Sequence, residues 1–360
     1  MENGHQKLRA LPVQLIEVDG GAILKRGCAE VLFRGERAAE VLHHVLAACS
    51  RQDLAAHEIC ALFAAPDRPA VQHVVEQLTA RRLLVPIEGT LSSTGAVESH
   101  LDVFYWHFAE AHEHASERLS RLNIAILGVN WISRQLVRAL HAGNMQAFTL
   151  VDYPLLRNQG LFDEQGEFLP EEWPPSSTPI AYREWIEHAE LRSLDCIVAT
   201  SDFGAGQVFR EWNRFCVQHN RLFFPIVLRN MVGHIGPMVI PGETACYECL
   251  EARQNANTEN FHIVRAVEDA AFEGQKVNGF LPSMASILGD LAAIELTKFC
   301  SDSLPKTKPG MFIEVNLLAT KLKSHKVLKI PRCPVCSPLA TRSSAIPIKG
   351  EFVQTIPPSP

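Results

Sequence analysis

Four cysteines set as two Cys-x-x-Cys pairs are the residues in this chain best placed to do chemistry. The first pair closes the run Ile240-Pro-Gly-Glu-Thr-Ala-Cys246-Tyr-Glu-Cys249, and the second is Cys333-Pro-Val-Cys336. Turn formers flank each pair, Pro241-Gly242 before the first and Pro331 and Pro334 around the second. Four soft thiolates on this spacing are the ligand set of a closed tetrahedral structural zinc site; disulfides or redox pairs are the alternatives. With four protein ligands no position is left for a substrate, so such a metal would hold the fold together and its loss would be felt in folding rather than in turnover.

The elements that must position these pairs follow from composition and periodicity. At 360 residues, 47% of them hydrophobic, the chain can bury one large core and a further small domain. A net charge of -6 argues against general binding to nucleic acid or to acidic membranes. The start Met1-Glu-Asn-Gly-His-Gln-Lys has no apolar signal core, and no run reaches the ~18 apolar residues that span a bilayer, so the expectation is a cytoplasmic protein. The six cysteines outside the pairs (Cys28, Cys49, Cys60, Cys196, Cys216 and Cys300) read as reduced core thiols.

Residues 11 to 34 alternate like strands, with Gly20-Gly21 as a turn and Val31-Leu32-Phe33-Arg34 as the last strand. Three helices follow: one carrying Val41, Leu42, Val45 and Leu46, one opening on a capping pattern at Ser50 to Asp53, and one from Asp67 with Val71, Val74, Val75 and Leu78 on its apolar face. Short strands and three helices within residues 1–88 make a winged-helix-like unit. As a DNA reader it lacks a basic recognition helix, because residues 70 to 80 hold no Lys or Arg. As a peptide binder it would use strand addition on Val31, Leu32, Phe33 and Arg34, beside Val71, Val74, Val75 and Leu78 of the third helix. A purely accessory packing domain is the plain alternative.

Residues 89–120 read as a small polar linker followed by one amphipathic helix from Leu101 to about Leu122, with Phe104, Phe108, Ala115 and Leu119 as its buried stripe and His107, His112 and His114 on a solvated face. From Ile124 the pattern becomes strand, turn, helix, strand up to Asp152, the opening of a doubly wound nucleotide-binding sheet of Rossmann-like type. Its glycine turn, Gly128-Val-Asn130-Trp-Ile-Ser133, keeps one glycine of three; Asn130 can take a positive φ, but Trp131 and Ser133 add bulk where a phosphate needs bare backbone. A long helix over 282–300 with Met284, Ile287, Leu288, Leu291 and Ile294 inward, and a lysine-studded hairpin at 311–330, lead to the second cysteine pair. The Ser- and Pro-containing tail at 341–360 reads as loose.

Asp152, Arg157-Asn158-Gln159, Thr200-Ser-Asp202, Asn213, the Pro241 to Cys249 run and the distant Cys-Pro-Val-Cys together resemble the ThiF-type adenylating superfamily over residues 121–340. The resemblance implies an α/β fold in which Gly128 and Arg157 meet phosphates, Asp152 the ribose and Asp202 magnesium. It departs from the family at Pro154, where a second acid is usual, in the absence of lysine between Gly160 and Arg192, and in the absence of cysteine between Cys249 and Cys300. A preorganised phosphate cradle is what makes adenylation fast, so these departures weaken ATP binding as an expectation.

The order of elements before residue 88 resembles the leader-peptide recognition element of enzymes that modify ribosomally made peptides. The combination is similar to the leader-binding partners of YcaO-type cyclodehydratases in bacteriocin biosynthesis. It implies a subunit without catalytic residues of its own, commonly a homodimer, that presents a precursor peptide to an ATP-dependent YcaO enzyme forming azolines or azoles. The competing readings are a stand-alone ATP-dependent ThiF-type enzyme activating a peptide carboxylate or amide, and a metal-sensing transcription factor.

Overall fold

The computed structural model describes residues 6–87, 99–109, 112–175, 177–188, 193–272, 279–301, 304–305 and 308–338. Most of the predicted linker and the tail at 341–360 therefore lie outside the described residues. The chain folds as two units, Met1–His112 and Glu113–Pro360.

In the first unit, β1 (Lys7–Ala10) is followed by the antiparallel meander β2 (Gln14–Val18), β3 (Gly21–Arg26) and β4 (Ala29–Arg34), with Leu15, Leu24 and Val31 in register across it. Helix α1 (Ala38–Arg51), β5 (Leu54–Ala55), α2 (Ala56–Ala61), α3 (Arg68–Ala80) and β6 (Leu84–Pro86) complete it, and β1 pairs with β5 and β6 in a second small sheet. Leu24, Leu42, Val45, Ile59, Val71, Leu78 and Leu84 close the core. The capping pattern expected at Ser50 is not used: Ser50 lies in the last turn of α1 and its hydroxyl donates to the Leu46 carbonyl, while Glu58 reaches back to the Ala55 N–H at the start of α2.

The helix expected from 101 to 122 is two helices, α4 (His100–His107) and α5 (His112–Ser120). Ala109 takes φ +65, which no α-helix accommodates. Helix α4 is capped by Ser99 and belongs to the first unit, where the Trp106 indole N–H donates to the Arg82 carbonyl at 2.9 Å and the Arg26 guanidinium lies 4.8 Å over the ring. Tyr105, not Phe104, is its buried aromatic.

In the second unit, β7 (Ile124–Leu127), α6 (Trp131–Ala142), β8 (Phe148–Asp152), β9 (Ile180–Ala181), α7 (Tyr182–His188), β10 (Cys196–Ser201), α8 (Gly206–Gln218) and β11 (Leu222–Arg229) alternate strand and helix. Then come β12 (Val232–Ile235), α9 (Tyr247–Ala256), α10 (Phe261–Phe272), α11 (Pro282–Cys300), β13 (Met311–Asn316) and β14 (Lys321–Lys326). The eight strands run in the order β14-β13-β12-β11-β10-β7-β8-β9, parallel from β11 to β9 and antiparallel from β11 to β14. Every residue of β10 is buried, because Cys196 and Val198 face a core built with α6 and α11 while Ile197 and Ala199 face one built with α8 and α9.

Helix α11 corrects the predicted inward face. Met284 and Leu288 are buried, but Ile287 and Ile294 are 47% and 55% exposed, and Ala285, Gly289, Ala292 and Ala293 form the packed side. A Cβ on Gly289 would stand 2.8 Å from the Leu136 nitrogen and 2.9 Å from the Ile132 carbonyl oxygen of α6, so the small residues mark where two backbones meet. Of the six remaining cysteines, Cys49, Cys196 and Cys216 are buried and Cys60 and Cys300 half-buried; Cys28 is exposed, its Sγ 3.3 Å from His107 Nδ1, which corrects its assignment to the core.

Candidate functional site

The four cysteines converge. The turn at Pro241-Gly242, with Gly242 at φ +81, is tied down by the Thr244 hydroxyl, which accepts from the Ile240 N–H at 2.8 Å and places Cys246 at the cap of α9 with Cys249 in its first turn. The chain after β14 returns past α9, where Arg253 Nε donates to the Leu328 carbonyl at 2.9 Å, and delivers Cys333 and Cys336. All four sulfurs lie within 4.8 Å of one another, with Cys246–Cys249 at 3.9 Å, Cys246–Cys333 at 3.6 Å and Cys249–Cys336 at 3.5 Å. Metal–sulfur bonds of about 2.3 Å put the edges of a thiolate tetrahedron at about 3.8 Å, so the donor set fits a four-coordinate soft metal. A disulfide needs about 2.05 Å, and all ten cysteines are free. The Cys249 thiol is held far below its usual range by hydrogen bonding from Cys246 and Cys336, joined by the Ile330 N–H at 3.4 Å. Three of the sulfurs are buried and the fourth half-buried, which leaves a site that holds rather than one that turns over substrate.

The glycine turn between β7 and α6 is occupied by the chain's own groups. Gly128 takes φ +103, and a Cβ there would meet Leu156 Cβ and the Thr200 carbonyl oxygen at 2.8 Å. Asn130 is extended at φ -151, not left-handed as its residue type allowed, and caps α6: its Oδ1 accepts from the Ile132 and Ser133 N–H groups at 3.2 and 3.1 Å. Its Nδ2 donates to the carbonyls of Leu156 and Thr200. The Asn130 N–H is taken by the Ser133 hydroxyl at 3.0 Å, and the Trp131 N–H by Asp202 Oδ2 at 3.1 Å. Asn158 Nδ2 donates to the same Asp202 oxygen at 2.7 Å, and Asp202 is wholly buried. The backbone donors that would grip a phosphate are thus bonded internally, with an Asp carboxylate at the helix N-terminus in the position an anion takes.

Asp152, which could meet a ribose, is instead in a two-pronged ion pair with Arg157, Nε to Oδ1 at 3.0 Å with Nη2 on Oδ2, and the guanidinium lies 4.1 Å over the Phe162 ring. The structure therefore brings Gly128, Asp152, Arg157 and Asp202 to one end of the parallel strands, and adds Asn130, Trp131 and Asn158. Sequence reasoning did not assign roles to these three. The signal for Asn130 was there in part: Asn just before an apolar helix is a preferred N-cap, while the return bond from Ser133 is not the Glu or Gln a capping box usually shows. The partner of Trp131 sits 71 residues away and leaves no local trace.

In the first unit, β4 pairs with β3 along one edge and with no other strand among the described residues. Leu32 is 52% exposed, Arg34 is exposed and Phe33 half-buried, whereas Val31 points into the core. Helix α3 corrects the expected groove: Val71, Val75 and Leu78 are fully interior, and only Val74 of the four is half-buried, because the stripe at i, i+4, i+7 is the one that fills the core. Arg37, just after β4, reaches Asp67 at the start of α3 with Nη1 to Oδ2 at 3.3 Å.

No protein-family model matches the sequence, and no curated protein matches it significantly. Solved structures do match in fold. A heterocyclase determined in complex with substrate and cofactor aligns with TM-score 0.56 at 17% identity, covering 92% of this chain and 40% of that one. The heterocyclase TruD aligns with TM-score 0.59 at 16% identity over 92% of this chain and 43% of its own. This chain thus spans about two fifths of the heterocyclase chains. MccB of E. coli, solved with ATP, aligns with TM-score 0.61 at 17% identity over 92% of this chain and 100% of that one, and its complex with MccA aligns with TM-score 0.62. The mixed α/β architecture of this chain is therefore a fold shared with MccB and with these heterocyclases.

Proposed function

We propose that this chain is the leader-peptide-binding subunit of a peptide-modifying system: it captures a ribosomally made precursor and presents it to a YcaO-type ATP-dependent cyclodehydratase that forms azolines or azoles. On this reading residues 1–88 are a winged-helix-like recognition domain, residues 121–340 a Rossmann-like ThiF-type scaffold, and Cys246, Cys249, Cys333 and Cys336 hold a structural zinc. The chain works in the cytoplasm, as a homodimer, without catalytic residues of its own. The observation that carries the reading is the N-terminus of α6, whose first amides are all bonded to the chain's own Asn130, Ser133 and Asp202, leaving no cradle for a triphosphate. The peptide side rests on the open edge of β4, where Leu32, Phe33 and Arg34 offer a strand-addition surface that raises the local concentration of the core peptide at a partner enzyme. The fold shared with heterocyclases supports it.

One observation favours a second reading. MccB is covered over its whole length and was solved with ATP, so a stand-alone ATP-dependent activity on a peptide carboxylate or amide is the competing function. Coexpression of this chain with a candidate precursor, with and without a YcaO partner, separates the two. Water-sized mass losses that need the partner support presentation; pyrophosphate exchange by this chain alone with precursor supports the second reading and ends the first.

A further inference from the structure

A cavity of about 690 Å³ lies in the second unit, between α8, α9, α10 and the end of β11. Its volume falls within the range of about 300–1,000 Å³ typical of ligand sites. Arg210 and Arg214 stand at i and i+4 on α8 and share one helix face, and Arg229 closes the same side from β11. Glu251 of α9 fixes two of them, accepting from Arg210 Nη1 at 3.2 Å on one oxygen and from Arg229 Nη2 at 3.3 Å and the Tyr247 hydroxyl at 2.8 Å on the other. Arg214 is exposed, and its charge is felt by Glu211 and Glu248 without a hydrogen bond to either, which leaves its donors open to a ligand. The opposite wall is apolar, formed by Phe261 and Val264 of α10, and Gln254 and Asn255 add amide groups.

The charge of the lining decides the class of ligand. Three guanidiniums against the carboxylates of Glu248 and Glu251 leave a single positive charge in excess, which matches one carboxylate; a phosphate dianion would meet two glutamates at close range. The apolar wall suits an aliphatic side chain, and the amides suit a peptide backbone. We propose that this cavity binds a carboxylate-bearing peptide residue, with Arg214 as the anchoring cation. The inference rests on the peptide-handling function above, and gives that function a second contact, separate from β4, that reads an acidic residue next to an aliphatic one.

The probe is acetyl-Leu-Glu-amide, with acetyl-Leu-Gln-amide as its uncharged twin and inorganic phosphate as competitor, titrated by NMR or calorimetry into the full-length protein. A dipeptide is too short to add a strand to β4, so its binding does not depend on that edge. The expected result is millimolar binding of the glutamate probe, at least tenfold weaker binding of the glutamine probe, and at least tenfold loss in Arg214→Glu and Arg214→Gln, both at an exposed position that leaves the fold intact by thermal melt. The proposal is overturned if neither probe binds, if both bind alike, if the Arg214 variants bind unchanged, or if phosphate displaces the probe at equal concentration. A Leu32→Asp variant that still binds a whole leader as wild type does would instead sink the β4 reading and leave the cavity result standing.

Discussion

Asp202 can be made to report whether the helix N-terminus it caps is a structural joint or a vestige of catalysis. Its buried carboxylate receives the Trp131 N–H at 3.1 Å and Asn158 Nδ2 at 2.7 Å, and it faces the positive end of α6. Hydrogen bonds to a charged group contribute about 1.5–3 kcal/mol each, and the helix dipole adds up to about 2 kcal/mol in partly buried settings. Release of the buried charge offsets part of that sum, so Asp202→Ala should cost about 2–4 kcal/mol. For a unit of this size each kcal/mol lowers Tm by about 2–4 °C, which sets the expected drop at about 6–12 °C for a loss of about 3 kcal/mol. Tryptophan fluorescence is the assay, since Trp131, Trp173, Trp185 and Trp212 all lie in the second unit and only Trp106 in the first. A magnesium ligand behaves in the opposite way: without metal its removal relieves a buried charge and leaves Tm level or higher. The same melts with millimolar magnesium and ATP give a second reading, because a ligand at 100 times its Kd adds about 2.7 kcal/mol, or roughly 5–11 °C. We expect no shift in wild type. A variant as stable as wild type, together with a clear upward shift on adding the nucleotide, would refute the filled-cradle argument.

Three further outcomes follow from the geometry. Cys336→Ser should reduce bound zinc from one per chain to near none by elemental analysis and lower Tm sharply, and a chelator should do the same to wild type, since the energy of binding a structural metal is folding energy. Leu32→Asp should leave the melt within ~2 °C of wild type and weaken leader binding at least tenfold, whereas Val31→Asp, which would bury a charge, should unfold the first unit. The Glu211 carboxyl on α8 is lifted from 4.5 to about 7, chiefly by burial. The folded chain therefore keeps a proton that the unfolded chain has released, so this contribution is complete below pH ~4.5 and lost as pH rises towards ~7. Relative to Glu211→Gln, wild type should lose about 1–2 kcal/mol between pH ~5 and ~8 after allowance for partial solvent screening; parallel pH profiles of the two proteins would contradict it.

Where local pattern and tertiary demand agree, the chain could be read directly. The apolar runs before Gly128 and Asp152 became β7 and β8, Pro282 marked the first turn of α11, and the cysteine spacing marked the sulfur cluster. Reading failed where size and burial part company. Periodicity placed bulky Ile287 and Ile294 inward, but α6 and α11 approach so closely that only Gly289 and its alanine neighbours fit between them. On α3 the reverse occurred: Val71, Val75 and Leu78 were read as a docking face, and the small core of the first unit took all three. Strands of two to four residues, such as β1, β5 and β6, are too short to show an alternation and went unseen. The break at Ala109 carries neither glycine nor proline to announce it. The filled glycine turn was half legible: one glycine of three announced a turn unlike the usual phosphate loop, but that Asp202 would accept from both the Trp131 N–H and Asn158 Nδ2 depends on pairings 71 and 44 residues apart.

The sulfur cluster links Cys246 to a residue 87 positions further along, and α9, α10, α11 and the β13–β14 hairpin all lie inside that span. Once a metal is seated, the backbone from Cys246 to Cys333, with two of the eight strands, becomes a closed ring. A protease cut between α9 and α11 would open the backbone without parting the pieces, because the metal would tie them together in addition to the β12–β13 pairing and the α6–α11 contact.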